Sequence, residues 1–495
     1  MTPQEQINYL LEHPDEMLKK KPYTRGSERY VTADGYGSVA TGEKISAALP
    51  NFESKIISLD RLRAEFDPNC HDVLFDENIP SITAKTSDGN YVELKFKKTA
   101  LPFQKMIVNK QVLFMCGYPT QHILENLHPT EEQKADYTFI KRMWKNRNID
   151  GVRTKMVRAQ KSLSEAGMLF YMDRNDRIKA RVLSYEDGYV FCSHNDMNGD
   201  RLMECVYYFE KDHEVIDAFT DKHQYRFTRS TTDEKREWVV DPNVNGILHG
   251  FEEIPLITKY GKVPWDKVQD TIEVYEIIYN IFLVIQKRHG WGILYIKGNF
   301  SDKAKKIAGS VILNDASLNQ NGDAKYLTPP TPEGMLETLK LMEDSIQKGS
   351  GTTFILPKDI SSVGDISGIA IQVTQSLDNE EALAGTIEWQ NAISKMSRLF
   401  ITGLGKECVK KGDDSAITRF KDLEIHSEFK QWRPRNDYEY TQMLTMLTGA
   451  DILSKQTGIE KNTESAPDEE FRMMNQSKEG ESTLVIEPET EIINS

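Results

Sequence analysis

The stretch VPWDKVQDTIEVYEIIYNIFLVIQKRHG, residues 263–290, decides how the rest of the chain is read. Pro264 suits the first turn of a helix, and the helical pattern runs to about Arg288, before Gly290 and Gly292 break it. From Thr271 to Ile285, tyrosines aside, the only polar side chains are Thr271, Glu273, Glu276 and Asn280. A helix that is apolar nearly all round must be buried on most sides, and this one is too short and too acidic to span a membrane. Two readings fit it: a core helix of one large domain, or a helix whose flanks are covered by neighbouring subunits.

Downstream, Ile293–Ile296, Val311–Leu313 and Tyr326–Leu327 read as a small β element, followed by a helix from Glu333 to about Lys348. Lys297, Lys303, Lys305, Lys306 and Lys325 make the β element the most basic local stretch, which reads either as solvated turns or as a docking surface. A glycine- and hydroxyl-rich loop, GSGTTFILPKDISSVGD (349–365), leads into a long helix from about Ser367 to Gly403. The long helix carries Ile366, Ile369, Ala370, Val373, Leu377, Ala384, Ile387, Met396, Leu399 and Phe400 at helical spacing, interrupted by Glu380 and Glu381. Ser367 is its expected N-cap and Gly403 and Gly405 its expected stops. At about 1.5 Å per residue it would be about 50 Å long, beyond the usual helix and suited to a spoke of an assembly.

The 495 residues correspond to about three domains by length. A hydrophobic share of 39% with 28% charged residues describes a soluble chain able to bury cores. Cys70, Cys116, Cys192, Cys205 and Cys408 show no CxxC spacing, so free thiols in a reducing compartment are expected. No zinc cluster is visible among the ten histidines, and the acidic start lacks an apolar signal core, so secretion is not expected. The net charge of −14 argues against static binding to nucleic acid, which needs lysine and arginine on phosphate. It does not exclude a surface that DNA slides past without sticking.

Residues 3–20 read as an amphipathic helix bearing Ile7, Leu10, Leu11 and Met17, and 25–50 as a loop or arm. Ile82 to Phe96 reads as a hairpin around Ser87-Asp88-Gly89. Leu101–Met115, Thr130–Lys145 and Gly151–Ala166 read as helices, and Met168–Trp238 as an antiparallel meander. HNDMNGD (194–200) holds some oxygen ligands of a calcium loop but lacks the closing glutamate, so a hairpin turn is the expectation. Glu424–Phe429 is strand-like, Tyr438–Leu447 helical, and 478–495 an acidic tail. GxxxxGK[ST], HExxH and GxSxG are absent, and Ser345-Ile346-Gln347-Lys348 lacks the partners of an S-x-x-K site. No catalytic residue, cofactor or metal ligand is expected.

The order of these parts resembles the portal proteins of tailed double-stranded DNA bacteriophages. The resemblance rests on Ile107-Val108-Asn109-Lys110 with Gly117-Tyr118-Pro119, the meander after Gly167, and Ile254-Pro255-Leu256 before the Trp265 helix. It continues through Asp365-Ile366-Ser367-Gly368-Ile369-Ala370, Arg433-Pro434-Arg435-Asn436 and Gly449-Ala450-Asp451-Ile452-Leu453-Ser454, covering about residues 104 to 476. It implies an α+β portal fold assembled as a ring, usually of twelve subunits, at one capsid vertex of the virion, put together in the host cytoplasm.

In that frame residues 1–262 are the wing, 263–289 and 332–348 the stem helices, and 290–331 the clip. Residues 349–366 are the tunnel loop, 367–433 the long wing helix and return strand, 434–475 the crown and 476–495 the tail. The implied stem interface is Trp265, Ile272, Tyr275, Ile278 and Phe282. The implied loop residues beside DNA are Lys348, Thr352, Thr353, Lys358, Asp359, Ser361 and Ser362. The five clip lysines would dock partners. Implied partners are further copies of the chain, transiently held double-stranded DNA, the terminase large subunit, a head–tail adaptor, and major capsid and scaffolding proteins, with no membrane. The competing expectations are another capsid or tail protein without a channel, and a hydrolase built around His194.

Overall fold

The computed structural model describes residues 2–18, 51–79, 82–85, 91–94, 97–232, 237–289, 293–297, 305–307, 310–312, 323–327, 333–354, 375–432, 437–454 and 458. The chain divides into two units, one of residues 1–354 and 377–432 and one of residues 355–376 and 433–495.

The first unit opens with α1 (Pro3–Glu12) and α2 (Pro14–Met17). Thr2 and Glu5 form a reciprocal capping box at the start of α1. α3 (Asn51–Phe66) follows, then the hairpin β1 (Ile82–Lys85) and β2 (Tyr91–Leu94). Next come α4 (Phe103–Cys116), β3 (Gln121–Leu124), α5 (Glu131–Asn146) and α6 (Ile149–Leu163).

The expected single meander is two sheets. β4 (Glu165–Met172) and β5 (Ile178–Leu183) pair with β11 (Leu256–Tyr260) in the order β11-β4-β5. β6 (Val190–Asn195), β7 (Arg201–Glu210), β8 (His213–Phe219), β9 (His223–Ser230) and β10 (Val239–Leu248) form the five-stranded antiparallel meander. The division follows from β11, which sets Leu256 opposite Leu169 and captures β4 from far along the chain.

Met17, Leu18 and Leu59 close one face of the meander around Cys192, Met203, Cys205 and Ile216. Polar links tie its β6–β7 end to β11: Glu204 accepts from Ser193 at 2.6 Å and from Thr258 at 2.7 Å. Burial raises the Glu204 carboxyl above the usual range, against the opposing charge of Arg201.

α7 (Gln269–His289) and α8 (Glu333–Ser350) flank two small ribbons. In these, β12 (Ile293–Lys297) pairs with β15 (Asp323–Leu327), and β13 (Lys305–Ile307) with β14 (Ser310–Ile312). α7 begins at Gln269, five residues later than Pro264 suggests, because Val263–Val268 forms turns instead.

α9 (Ser376–Lys410) spans 35 residues, about 50 Å at about 1.5 Å per residue. It runs through Gly403 and Gly405, the expected stops. An added Cβ at Gly403 would come within 2.4 Å of Ile178 Cδ1, and one at Gly405 within 3.2 Å of Ile417, so these glycines serve close packing. The helix ends instead at Gly412, φ +100°, where Asp413 N–H bonds Cys408 O at 3.1 Å in a Schellman-type cap. The expected cap at Ser367 lies outside the described residues.

α10 (Ala416–Lys421) and β16 (Ile425–Glu428), paired with β3, complete the unit. Its main core joins α4, α5, α6 and α9 to the foot of α7 through Val108, Met115, Trp144, Met156, Trp265, Trp389 and Phe400. The second unit contributes α11 (Asp437–Gly449) to the described residues. The helix expected near Ser454 and the acidic tail fall almost wholly outside them.

The β3–β16 ribbon carries a half-buried histidine. Ser427 donates to Ser397 at 3.0 Å, so it accepts from His122 Nδ1 at 2.8 Å. His122 Nε2 then lies buried without a hydrogen-bond partner, and the ring meets Trp144 edge-on at 4.7 Å. Burial lowers this imidazole from 6.5 to about 4, outweighing nearby Asp150. The neutral ring is therefore the folded form, and its contribution is complete above pH 6.5 and is lost as pH falls toward about 4. His122→Asn should flatten that part of the stability–pH curve, read from urea midpoints between pH 7.5 and 5. Superimposable curves would assign the acid sensitivity to other groups.

Candidate functional site

The 263–290 helix is where the sequence placed the most weight, and the structure shows which of its residues face inward. Two of its polar residues are among the buried ones: Glu276 is 1% and Asn280 0% exposed. Glu276 Oε1 accepts from His71 Nδ1 at 2.8 Å and from Leu101 N–H at 2.6 Å. Asn280 receives Thr99 N–H at 2.8 Å and donates back to Thr99 O at 2.7 Å. An amide side chain thus replaces a strand partner for residues 97–101, and satisfying those buried groups is what makes their burial tolerable. Val73, Ile79 and Val284, with Leu74, Ala100 and Ile277, fill the space beside this seam.

The first part of α7 is enclosed by its own chain. Trp265 stacks on Phe66 at 5.5 Å and donates to Glu65 at 3.1 Å. Ile272 is fully buried, and Tyr275 packs edge-on against Phe103 at 5.1 Å. These three residues, expected at a subunit interface, have no surface to offer a neighbour, because the early segment 59–79 and α4 cover them. Burial raises the Tyr275 hydroxyl above its usual range, with Glu343 adding to the effect.

Elsewhere along α7 the cover is thinner. Ile278, Ile281, Phe282, Leu283 and Ile285 are half-buried, and Val274 is 47% exposed. α8 packs antiparallel along α7, since Gly349 meets Val268 while Glu343 lies near Tyr275. A Cβ at Gly349 would come within 2.4 Å of Val268 Cγ1, so the two helices touch at their base. α8 turns only a stripe inward, with Leu339 and Ile346 buried and Met342 partly so, and leaves Leu341 67% exposed. The helix pair therefore keeps apolar surface that the described residues do not cover.

At the base of the pair the chain turns back. α8 ends two residues later than expected, at Ser350, with Gly351 at φ +63° and Thr352 N–H on Gln347 O at 3.1 Å. Thr352 and Thr353, expected beside DNA, turn inward. Thr352 Oγ1 accepts from Gln111 at 3.2 Å, and Thr353 N–H donates to Asp378 at 3.2 Å. Lys161 supports Gln111 at 2.9 Å, and burial lowers its ammonium below the usual lysine range. Lys348 is exposed on the last turn of α8. Lys358, Asp359, Ser361 and Ser362 lie outside the described residues.

Of the basic cluster, Lys297 stands opposite Asp323, Lys325 opposite Tyr295, Lys305 opposite Ile312 and Lys306 opposite Val311; Lys303 lies outside. The cluster is thus spread over two ribbons. His194, the centre of the hydrolase expectation, bonds Met17 O at 2.8 Å, while Asp196 accepts the Asn198 and Asp200 amides at 2.8 Å each. HNDMNGD is a hairpin turn whose Asp196 carboxylate serves the backbone. Among the described residues no group of three or more His, Cys, Asp or Glu could hold a metal ion, and no helix is long and apolar enough to cross a membrane.

A family model described as "Phage portal protein, SPP1 Gp6-like" matches residues 68–483. No curated protein matches the chain.

The seam on α7 makes a direct prediction. Asn280→Leu removes both bonds to Thr99, at a cost of about 1–3 kcal/mol. Amide exchange at Thr99 and Leu101 should accelerate while α9 amides stay protected; unchanged exchange at Thr99 would show that Asn280 does not hold the segment.

Proposed function

The chain belongs to the SPP1 Gp6-like phage portal proteins, and we propose that it assembles as a ring, of twelve copies, at one vertex of the capsid. DNA passes through the ring during packaging and ejection. The chain itself drives nothing: the terminase large subunit supplies the motor, docks on the clip at 290–331, and gives way to the head–tail adaptor. Major capsid and scaffolding proteins meet the wing, and the ring is assembled in the host cytoplasm before it becomes part of the virion.

The observation that carries this reading is the divided character of α7. Glu276 and Asn280 are spent inside the chain, while Ile278, Ile281, Phe282, Leu283 and Ile285 stay half-exposed beside the exposed Leu341 of α8. Obligate subunit contacts are large and apolar, and a heterologous contact repeated by rotation closes into a ring. Ile278 and Phe282 are the two expected interface residues that remain available. The first half of α7, locked to residues 65–101, sets the angle at which that apolar end is presented. The net charge of −14 suits a channel wall that DNA must cross without sticking, and Lys348, with Lys358 in the loop, supplies cations near the DNA path.

Two outcomes test this. Ile278→Asp or Phe282→Asp places an unpaired charge in the subunit contact, which is costly. The variant should stay folded by circular dichroism yet run as a low-mass species where the parent chain gives rings in electron micrographs. Rings formed as readily as by the parent would remove these residues from the contact. Reversing charge at Lys348 and Lys358 together should leave ring assembly intact and lower DNA packaging or retention in heads. Undiminished packaging would remove the two lysines from the DNA path.

A further inference from the structure

The residues on either side of segment 355–374 meet on α4. Thr353 precedes the segment, and Asp378 follows it on the first turn of α9. All three polar groups of Thr353 are taken up by two side chains. Its N–H donates to Asp378 Oδ1 at 3.2 Å, and its hydroxyl donates to Asp378 Oδ2. Lys110 of α4 donates to the Thr353 hydroxyl at 2.6 Å and to its carbonyl, and pairs with Asp378 Oδ2 at 3.0 Å.

A second row reinforces the first. Gln111 donates to Ser350 O at 3.0 Å, and Phe354 N–H donates to Gln347 Oε1 at 2.7 Å. The Phe354 ring lies 5.7 Å from that of Phe103. The same helix holds the chain where it leaves the first unit a second time. Trp432 N–H bonds Phe114 O at 2.9 Å, and its Cβ sits 2.7 Å from where a side chain at Gly117 would begin. α4 thus holds Ser350, Thr353, Asp378 and Trp432 within the first unit.

Asp378 is 2% exposed. A buried carboxylate at that depth needs its charge met, and Lys110 and the two Thr353 donors meet it. An acidic residue on a first turn also stabilises a helix by itself, which alone would explain Asp378. It does not explain why Thr353 turns inward, nor why Lys110 reaches both residues.

We propose that Lys110, Thr353 and Asp378 form a clasp that fixes where segment 355–374 departs from the wing and returns to it, with Asp378 its central positioning residue. Its effect on DNA rests on the portal reading, in which that segment stands in the channel. With the clasp closed, Thr353 and Asp378, two residues before the segment and four after it, are held within hydrogen-bonding distance of each other. The ring contact on α7 and α8 is separate, so opening the clasp leaves assembly intact.

The test uses the full chain in assembled rings, with Thr353→Val, Thr353→Ser and Asp378→Asn. Thr353→Val keeps the side-chain shape and the Asp378 charge while removing the hydroxyl, so it separates the clasp from a helix-end role. Amide exchange at residues 352–354 and 376–379 should rise at least about tenfold in Thr353→Val and Asp378→Asn, the loss of one charge-assisted bond. Thr353→Ser should stay near the parent. Heads carrying the two open variants should retain less DNA. No rise in exchange in Thr353→Val overturns the clasp, whatever the DNA result. A rise with unchanged DNA retention upholds the clasp and removes the segment from the DNA path.

Discussion

The structure depends on one exchange along α7. Glu276 and Asn280, the polar residues in the middle of an apolar helix, are turned inward and bound to the backbone of residues 97–101 and to His71. Buried polar groups of this kind must be satisfied, so the partners are fixed as firmly as the helix itself. The consequence is geometric. With Glu276 and Asn280 facing the chain's own body, Val274 stays exposed and Ile278, Ile281, Phe282, Leu283 and Ile285 only half-buried, the surface that the proposed ring contact would use.

Much else follows from where that helix is held. α8 lies antiparallel against it, touching at Gly349 and Val268, and so arrives beside α4. There the chain is seized by Lys110 and Gln111 before it can run on. α9 starts at the same place and carries the main core across the unit, with Glu407 near its far end bonded to Arg147 at 2.9 Å and to Ile178 N–H at 3.0 Å. The residues before α4, whose role the sequence left open, brace the helix pair through His71, Val73 and Ile79.

Much of this organisation was legible in the sequence. The long helix, the presence of β structure between α7 and α8, the helix of the IVNK stretch and the strand near Glu424 were readable because each has a clear period or clear turn residues. What was not legible has physical causes. A helix apolar all round carries no periodic mark of its inner face, and its orientation is decided by partners more than 170 residues away, at His71 and Leu101. The division of the meander depends on β11, whose pairing with β4 no local signal announces. Gly403 and Gly405 looked like stops because glycine usually ends helices, but here they admit Ile178 and Ile417. Thr352 and Thr353 looked like loop hydroxyls, and only the approach of Lys110, Gln111 and Asp378 reveals their inward role. Asp378 was hidden beside the polar interruption at Glu380 and Glu381.

The most direct test of the central claim is a cryo-electron microscopy reconstruction of the purified particle at side-chain resolution. It should show a closed ring with a central opening, Ile278 and Phe282 of each copy packed against α8 of the next, and Glu276 and Asn280 still bound within their own chain. A particle in which those two apolar residues face solvent, or one whose copies associate without leaving a channel, would contradict it.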